Sequence, residues 1–193
     1  IKACVKNHIK FIICEKPLCR SVKDAYKIIR LKKKYSKISL NFLRRYSLTY
    51  KKIKNHILNK DIGDLKSITV QMGGGQFGSN GSHMIDLCRY LSNKEAKEVA
   101  GYFNQSSKVN PRGHFFKDPG AYCVIKFENN IRCVIDMLDD HSSPPSVYIL
   151  GSKGRIFFDE RDNFYNIYRR KVSDYKKPIT QRLSFHKAQI KCS

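Results

Sequence analysis

The chain has 193 residues, 41% of them hydrophobic, with eleven Tyr, eleven Phe and a net charge of +22. A core can be buried in one sizeable domain, or in one domain plus part of another. No apolar run has the length of a membrane span, and nothing at the start resembles a signal peptide.

The first residue is Ile1, already inside what reads as a structural element, so a fragment is expected. The seven cysteines are an odd count with no C-x-x-C pair, and five lie in apolar or amphipathic runs. Buried free thiols and the reducing cytoplasm fit that usage better than a disulfide framework or a zinc cluster. Lysines at 32–34, 51–54, 94–97 and 171–177 are scattered rather than gathered into one block interleaved with aromatics. The charge therefore reads as solvated faces with some attraction for small anions. A basic nucleic-acid binder is the weaker alternative.

In chain order, residues 1–9 read as the tail of a helix and 10–14 as a short buried strand. The strand must stop at Glu15-Lys16-Pro17, because proline lacks an N–H and restricts the residue before it. A carboxylate and an ammonium are left at the carboxyl end of a strand, where ligands gather in α/β sheets. Ser21 caps a helix through Tyr35, and 38–43 is the next strand, leading to Arg44-Arg45-Tyr46. Strand, helix and strand in that order make a right-handed crossover of a parallel sheet. A helix over 50–58 closes on Asp61-Ile62-Gly63-Asp64, and a strand comes next over 65–72.

The glycine-rich stretch Gly73–Leu91 is the centre of the chain. Gly73, Gly75 and Gly78 spell G-x-G-x-x-G, yet the downstream segments read as a run of hairpins rather than a β-α-β unit. The glycines are expected to shape a turn that presents His83 at the start of a helix. Asp86 lies three residues on, hence on the same side about one turn away. Beyond that helix, 97–103 is strand-like and 104–119 a polar surface loop. Strands 122–127 and 131–138 join at Glu128-Asn129-Asn130, and 146–150 and 155–159 flank Gly151-Ser152-Lys153-Gly154. A strand over 164–170 continues the series, and the tail after Lys176 is uninformative. The fold class expected is α/β plus α+β. A last β-α-β part of a Rossmann-like domain spans 1–46. An α+β domain with a large, mainly antiparallel open sheet spans 47–193.

With these residues in place, the order resembles the glucose–fructose oxidoreductase / inositol dehydrogenase (Gfo/Idh/MocA) family. The matching pieces are Cys14-Glu15-Lys16-Pro17-Leu18, Arg44-Arg45-Tyr46, Asp61-Ile62-Gly63-Asp64 and Gly73-Gly74-Gly75. They continue with Gly81-Ser82-His83-Met84-Ile85-Asp86 and Leu150-Gly151-Ser152-Lys153-Gly154-Arg155. The resemblance implies a dinucleotide-binding domain, whose glycine fingerprint would precede this chain, and then a sheet domain often used for self-association. It implies an NAD- or NADP-dependent oxidoreductase moving a hydride between the nicotinamide and a carbinol or carbonyl of a sugar, sugar nucleotide or cyclitol. Lys16 and His83 are the implied catalytic residues. Glu15, Lys16, Pro17 and Arg45 are placed on the cofactor, and Ser79, Asn80 and His83 on the substrate.

Many family members carry an aspartate four residues before the histidine, where this chain has Ser79. A hydroxyl orients a substrate hydroxyl but cannot act as a carboxylate base. From the residues alone, Arg45 contacts substrate or cofactor phosphate, or solvates a strand end. Asp86 reads as structural, accepting from backbone or Arg89, and Tyr46 as packing. His8, His56, His114, His141 and His186 lack metal-ligand spacing and read as surface or loop residues. A truncated, non-catalytic interaction module of the same fold is the alternative function.

Overall fold

The computed structural model describes residues 1–35, 37–104, 110, 112–113 and 115–192. Its internal contacts divide the chain into Ile1–Leu43 and Arg44–Ser193.

In the first unit, α1 (Lys2–Lys6) leads to β1 (Phe11–Cys14), α2 (Val22–Tyr35) and β2 (Lys37–Leu40). β1 and β2 pair in parallel, from Phe11 opposite Lys37 to Cys14 opposite Leu40. Ser21 caps α2 reciprocally: its Oγ accepts the Asp24 N–H at 3.1 Å and its hydroxyl donates to the Asp24 carboxylate at 2.9 Å. Such a cap satisfies an otherwise orphaned amide of the first turn. The strand expected through Leu43 stops at Leu40. The Asn41 N–H still reaches the Cys14 carbonyl at 2.9 Å, but Phe42 turns back on Leu40, and Leu43–Arg45 is a 3₁₀ turn.

The second unit continues with α3 (Leu48–Leu58), β3 (Leu65–Gln71), a π-helical turn (Phe77–Gly81) and α4 (Ser82–Ser92). The strands β4 (Ala96–Phe103), β5 (Ala121–Phe127), β6 (Arg132–Met137) and β7 (Ser146–Gly151) come next. β8 (Gly154–Asp159), β9 (Phe164–Arg170) and β10 (Phe185–Lys191) complete the unit. One eight-stranded sheet runs β10-β9-β8-β7-β3-β6-β5-β4. β3 lies inside it, parallel to β6 and antiparallel to β7; the other pairs are antiparallel.

The core comes from one face of that sheet and from apolar stripes of helical spacing. Tyr50, Ile53 and Ile57 of α3 and Met84, Leu87, Cys88 and Leu91 of α4 are buried with Ile68, Val70, Ile135, Ile149 and Ile167 of the strands. β5 alternates buried and exposed residues along its length, the pattern of a strand with one face covered. Asn129 and Asn130 take φ of 57° and 56° at the β5–β6 connection, which asparagine tolerates. The β7–β8 hairpin closes against the loop after α3: the Lys153 N–H donates to the Ile62 carbonyl at 2.8 Å. A Cβ on Gly151 would meet that same carbonyl oxygen at 2.1 Å, so only glycine allows the approach.

Three expectations need correcting. His56 is no surface residue: on α3 its Nδ1 lies 2.5 Å from Asp61 Oδ2 and its Nε2 2.9 Å from the fully buried Tyr165 hydroxyl. Tyr46 does not pack; it is 59% exposed. The tail after Lys176 contains β10, paired along all of β9. His114 lies outside the described residues. All seven cysteines are free thiols, and Cys88, Cys123 and Cys133 are buried. The neighbouring Cys133 thiol and burial together push the Cys88 thiol well up, leaving it inert.

Candidate active site

Two places concentrate functional chemistry, one in each unit. In the first, Glu15, Lys16 and Pro17 leave the carboxyl end of β1, and the Lys16–Pro17 peptide bond is cis. A residue not singled out by its sequence joins them. Asn41, just past the end of β2, donates from Nδ2 to Glu15 Oε1 at 2.6 Å. The parallel pairing of β1 and β2 brings these two ends side by side, so the Glu15 carboxylate is oriented at a carboxyl-terminal strand edge.

In the second unit the glycine stretch is a turn, not a phosphate-binding fingerprint. Gly74 and Gly75 have φ of 90° and 65°, and Gln76 is also left-handed at 59°. The chain then enters the π turn, a geometry enriched at functional sites. The Asp118 carboxylate accepts the N–H groups of Gly78 at 2.6 Å and Ser79 at 2.9 Å, and the Phe77 N–H donates to the Pro119 carbonyl. Asp118 thus caps the turn, so the end of the 104–119 segment is structural rather than a free surface loop. Behind the turn, the Gly73 N–H donates to the Ser143 carbonyl at 2.8 Å. A Cβ on Gly73 would fall 2.1 Å from the His141 carbonyl oxygen, which makes glycine obligatory there.

This scaffold sets Ser79, Asn80 and His83 within two turns of chain. Ser79 is buried, Asn80 and His83 are half-buried, and the Ser82 hydroxyl donates to the Ser79 carbonyl at 3.0 Å. One turn beyond His83, Asp86 is buried and bound in bidentate fashion by Arg45, Nε to Oδ2 at 2.7 Å and Nη2 to Oδ1 at 2.8 Å. Arg89 does not hold Asp86; it pairs with Glu95. The Arg45 guanidinium also lies 5.3 Å from the Tyr90 ring centroid, with Lys54 Nζ at 4.0 Å from the same ring. The Asp86 carboxylate pushes Arg45 up, so its charge is permanent. Burial and the neighbouring Arg45 push Lys54 down. Arg45 therefore anchors α4 through Asp86, and Arg44 anchors the same 3₁₀ turn to Glu160 at 2.6 and 2.7 Å.

Residues 67–157 match the model of the GFO/IDH/MocA C-terminal domain. The chain belongs to that family. Among relatives of the GFO/IDH/MocA chain, the myo-inositol 2-dehydrogenase of Thermotoga maritima is 30% identical over 180 residues, 81% of this chain and 51% of the relative. A solved structure of a probable dehydrogenase from Thermotoga maritima matches with a TM-score of 0.68 at 28% identity, covering 81% of this chain and 51% of that one. The transcriptional regulator Gal80p from Kluyveromyces lactis shares the fold at 13% identity, with a TM-score of 0.74, over 98% of this chain and 55% of its own. The chain spans about half the length of the curated relatives it matches. Among the described residues no helix is long and apolar enough to cross a membrane, and no group of three or more His, Cys, Asp or Glu is arranged to hold a metal ion.

Proposed function

We propose that this chain belongs to an NAD- or NADP-dependent oxidoreductase that interconverts a carbinol and a carbonyl on a cyclitol, sugar or sugar nucleotide. The observation that carries the reading is the 30% identity to a myo-inositol 2-dehydrogenase across 81% of the chain.

The donor set at β1 fits the nicotinamide–ribose end of such a cofactor. An ionised carboxylate accepts from ribose hydroxyls, and an ammonium donates to hydroxyl or carboxamide oxygens. Glu15, oriented by Asn41, would hold the ribose, with Lys16 and Pro17 beside it. The bound nicotinamide supplies the hydride chemistry; the protein orients and handles the proton. His83 is assigned the proton of the reacting hydroxyl, because an imidazole exchanges protons near neutral pH. Lys16 is assigned a share of the same proton path and the stabilisation of a developing alkoxide. Ser79 and Asn80 are assigned to substrate hydroxyls. Arg45, with its fork on Asp86, acts on α4 in this reading, although the sequence places it with the cofactor. The partner expected is a second copy, docked through the open face of the sheet.

Titration with NADH and NADPH, read by cofactor fluorescence at two salt concentrations, tests the proposal. Saturable binding weakened by Lys16→Ala, and polyol oxidation lost in His83→Ala, are expected. Absence of binding would leave the non-catalytic interaction module. Binding that ignores both substitutions and vanishes uniformly with salt would mark a non-specific basic surface.

A further inference from the structure

After β9 the chain makes a strap, residues 171–184, before returning as β10. Between the strap and the ends of β7, β8 and β9 lies a cavity of about 150 Å³. A cavity of that size admits a molecule as large as benzene. Its walls carry three cations, Lys153, Arg155 and Arg170, beside apolar Leu150, Leu183 and Phe185; none of the residues lining it is acidic.

The three charges are held in place, and the one carboxylate that feels Lys153, Asp64, is itself paired with Lys60 at 3.2 Å. Arg170 is only 7% exposed. Its Nη2 donates to the carbonyls of Asp174 and Lys177, and its buried Nε has no hydrogen-bond partner among the described residues. The nearby Asp174 carboxylate is occupied by Lys177 Nζ at 2.7 Å and the Ser184 N–H at 2.7 Å. The Arg155 guanidinium sits 4.4 Å from the Tyr168 ring centroid and 5.2 Å from that of Phe185, and Lys153 Nζ lies 4.3 Å from the Tyr175 ring. None of the three forms an ion pair among the described residues. Stacked on its two rings, Arg155 has its planar fork preorganised, and the two carbonyls do the same for Arg170.

Like charges around a partly desolvated cavity repel, and a buried guanidinium without a counter-charge is costly. An anion entering the cavity relieves both. The hairpin amides of Ser152 and Lys153 already donate to the carbonyls of Asp64 and Ile62, so recognition falls to the side chains. A tetrahedral dianion matches several converging cations better than a single carboxylate does. We propose that this cavity binds a phosphate dianion, either free or as the phosphomonoester of a small metabolite whose carbon skeleton lies on the Leu150–Leu183–Phe185 wall.

The site is separate from the His83 region. Gly151 pairs with Leu65 at the first end of β3, whereas the glycine turn begins after Gln71 at the other. Six strand steps place them about 20 Å apart. The proposal stands whether or not the chain handles a nicotinamide cofactor.

The test is a titration of the chain with inorganic phosphate and, in parallel, glycerol 3-phosphate at constant ionic strength. It is read by ³¹P line broadening and by thermal shift. Saturable binding is expected, weakened about ten-fold by Lys153→Gln or Arg155→Gln singly and more by both. Arg170→Met is a poor probe, because the residue is buried and its loss can unfold the strap. A control pair, Lys51→Gln with Lys117→Gln, removes two exposed charges that do not line the cavity and should leave binding unchanged. Equal affinity for both probes assigns the free ion, and tighter glycerol 3-phosphate binding assigns the phosphomonoester. Lack of saturation, or equal weakening in the control pair, overturns the site. So does a change of oligomeric state in Arg155→Gln with no anion bound, which would mean that the cations serve an acidic surface of a second copy.

Discussion

His83 is the residue on which the proposed chemistry turns, and its helix is anchored by an ion pair one turn away. Asp86 is buried while Arg45 is about a third exposed, and the pair is closed by two parallel hydrogen bonds. Removing one partner costs more than the pair is worth, because the other charge stays in a desolvated place. Arg45→Met is therefore expected to destabilise the fold by about 2 kcal/mol, measured as a lower urea midpoint. Arg45→Lys should recover little of this, since an ammonium cannot form the fork. If Arg45 instead binds cofactor directly, the substitution will raise the cofactor Kd while leaving the urea midpoint where it was.

At the scale of elements, the strap 171–184 depends on one carboxylate. Asp174 is buried, and Lys177 first, then the Ser184 N–H, hold its carboxyl down to about 2. A folded value below the ordinary 3.8 means that folding favours the ionised form. This contribution is complete above the ordinary value and is lost as pH falls through about 2. Acid titration by circular dichroism should show stability declining across that window. Asp174→Asn should flatten the decline and be less stable than the parent at neutral pH. Asp61 adds in the same direction, lowered chiefly by His56 and then by Arg169. Tyr165, pushed up to about 12 mainly by burial, stays neutral throughout and keeps its contact with His56.

At the scale of the whole molecule, α3 and α4 of the second unit cover one face of its eight-stranded sheet. On its other face Tyr102 stacks on Tyr122 with ring centroids 6.0 Å apart, and Val124 and Phe157 are also exposed. Exposed apolar groups in neighbouring strands mark interaction surfaces. Val124→Lys, at the middle of β5, is expected to shift a self-associated chain towards the monomer in sedimentation velocity. The core should be untouched, because Val124 opposes Val134 on that same face. An unchanged sedimentation profile would exclude self-association through this face.

Much of this was legible in the residues themselves. Pro17 ends β1, Ser21 caps α2, the Asn129-Asn130 pair turns the β5–β6 hairpin, and the apolar stripes of α3 and α4 keep helical spacing. These are local effects of backbone sterics, hydrogen bonding and periodicity, and neighbours in sequence suffice to express them. Asn41 on Glu15, Asp118 on the π turn, Arg45 on Asp86 and the three cations around the strap cavity were not legible. Each joins groups from 26 to 41 positions apart, or from three separate segments, and no local pattern encodes a partner at such a distance. β10 was hidden for the same reason: its polar, alternating FHKAQIK becomes a strand only because β9 offers it an open edge. By itself the sequence determined where most elements begin and end; only the tertiary structure decided which charges meet, because that depends on how the sheet brings distant strands together.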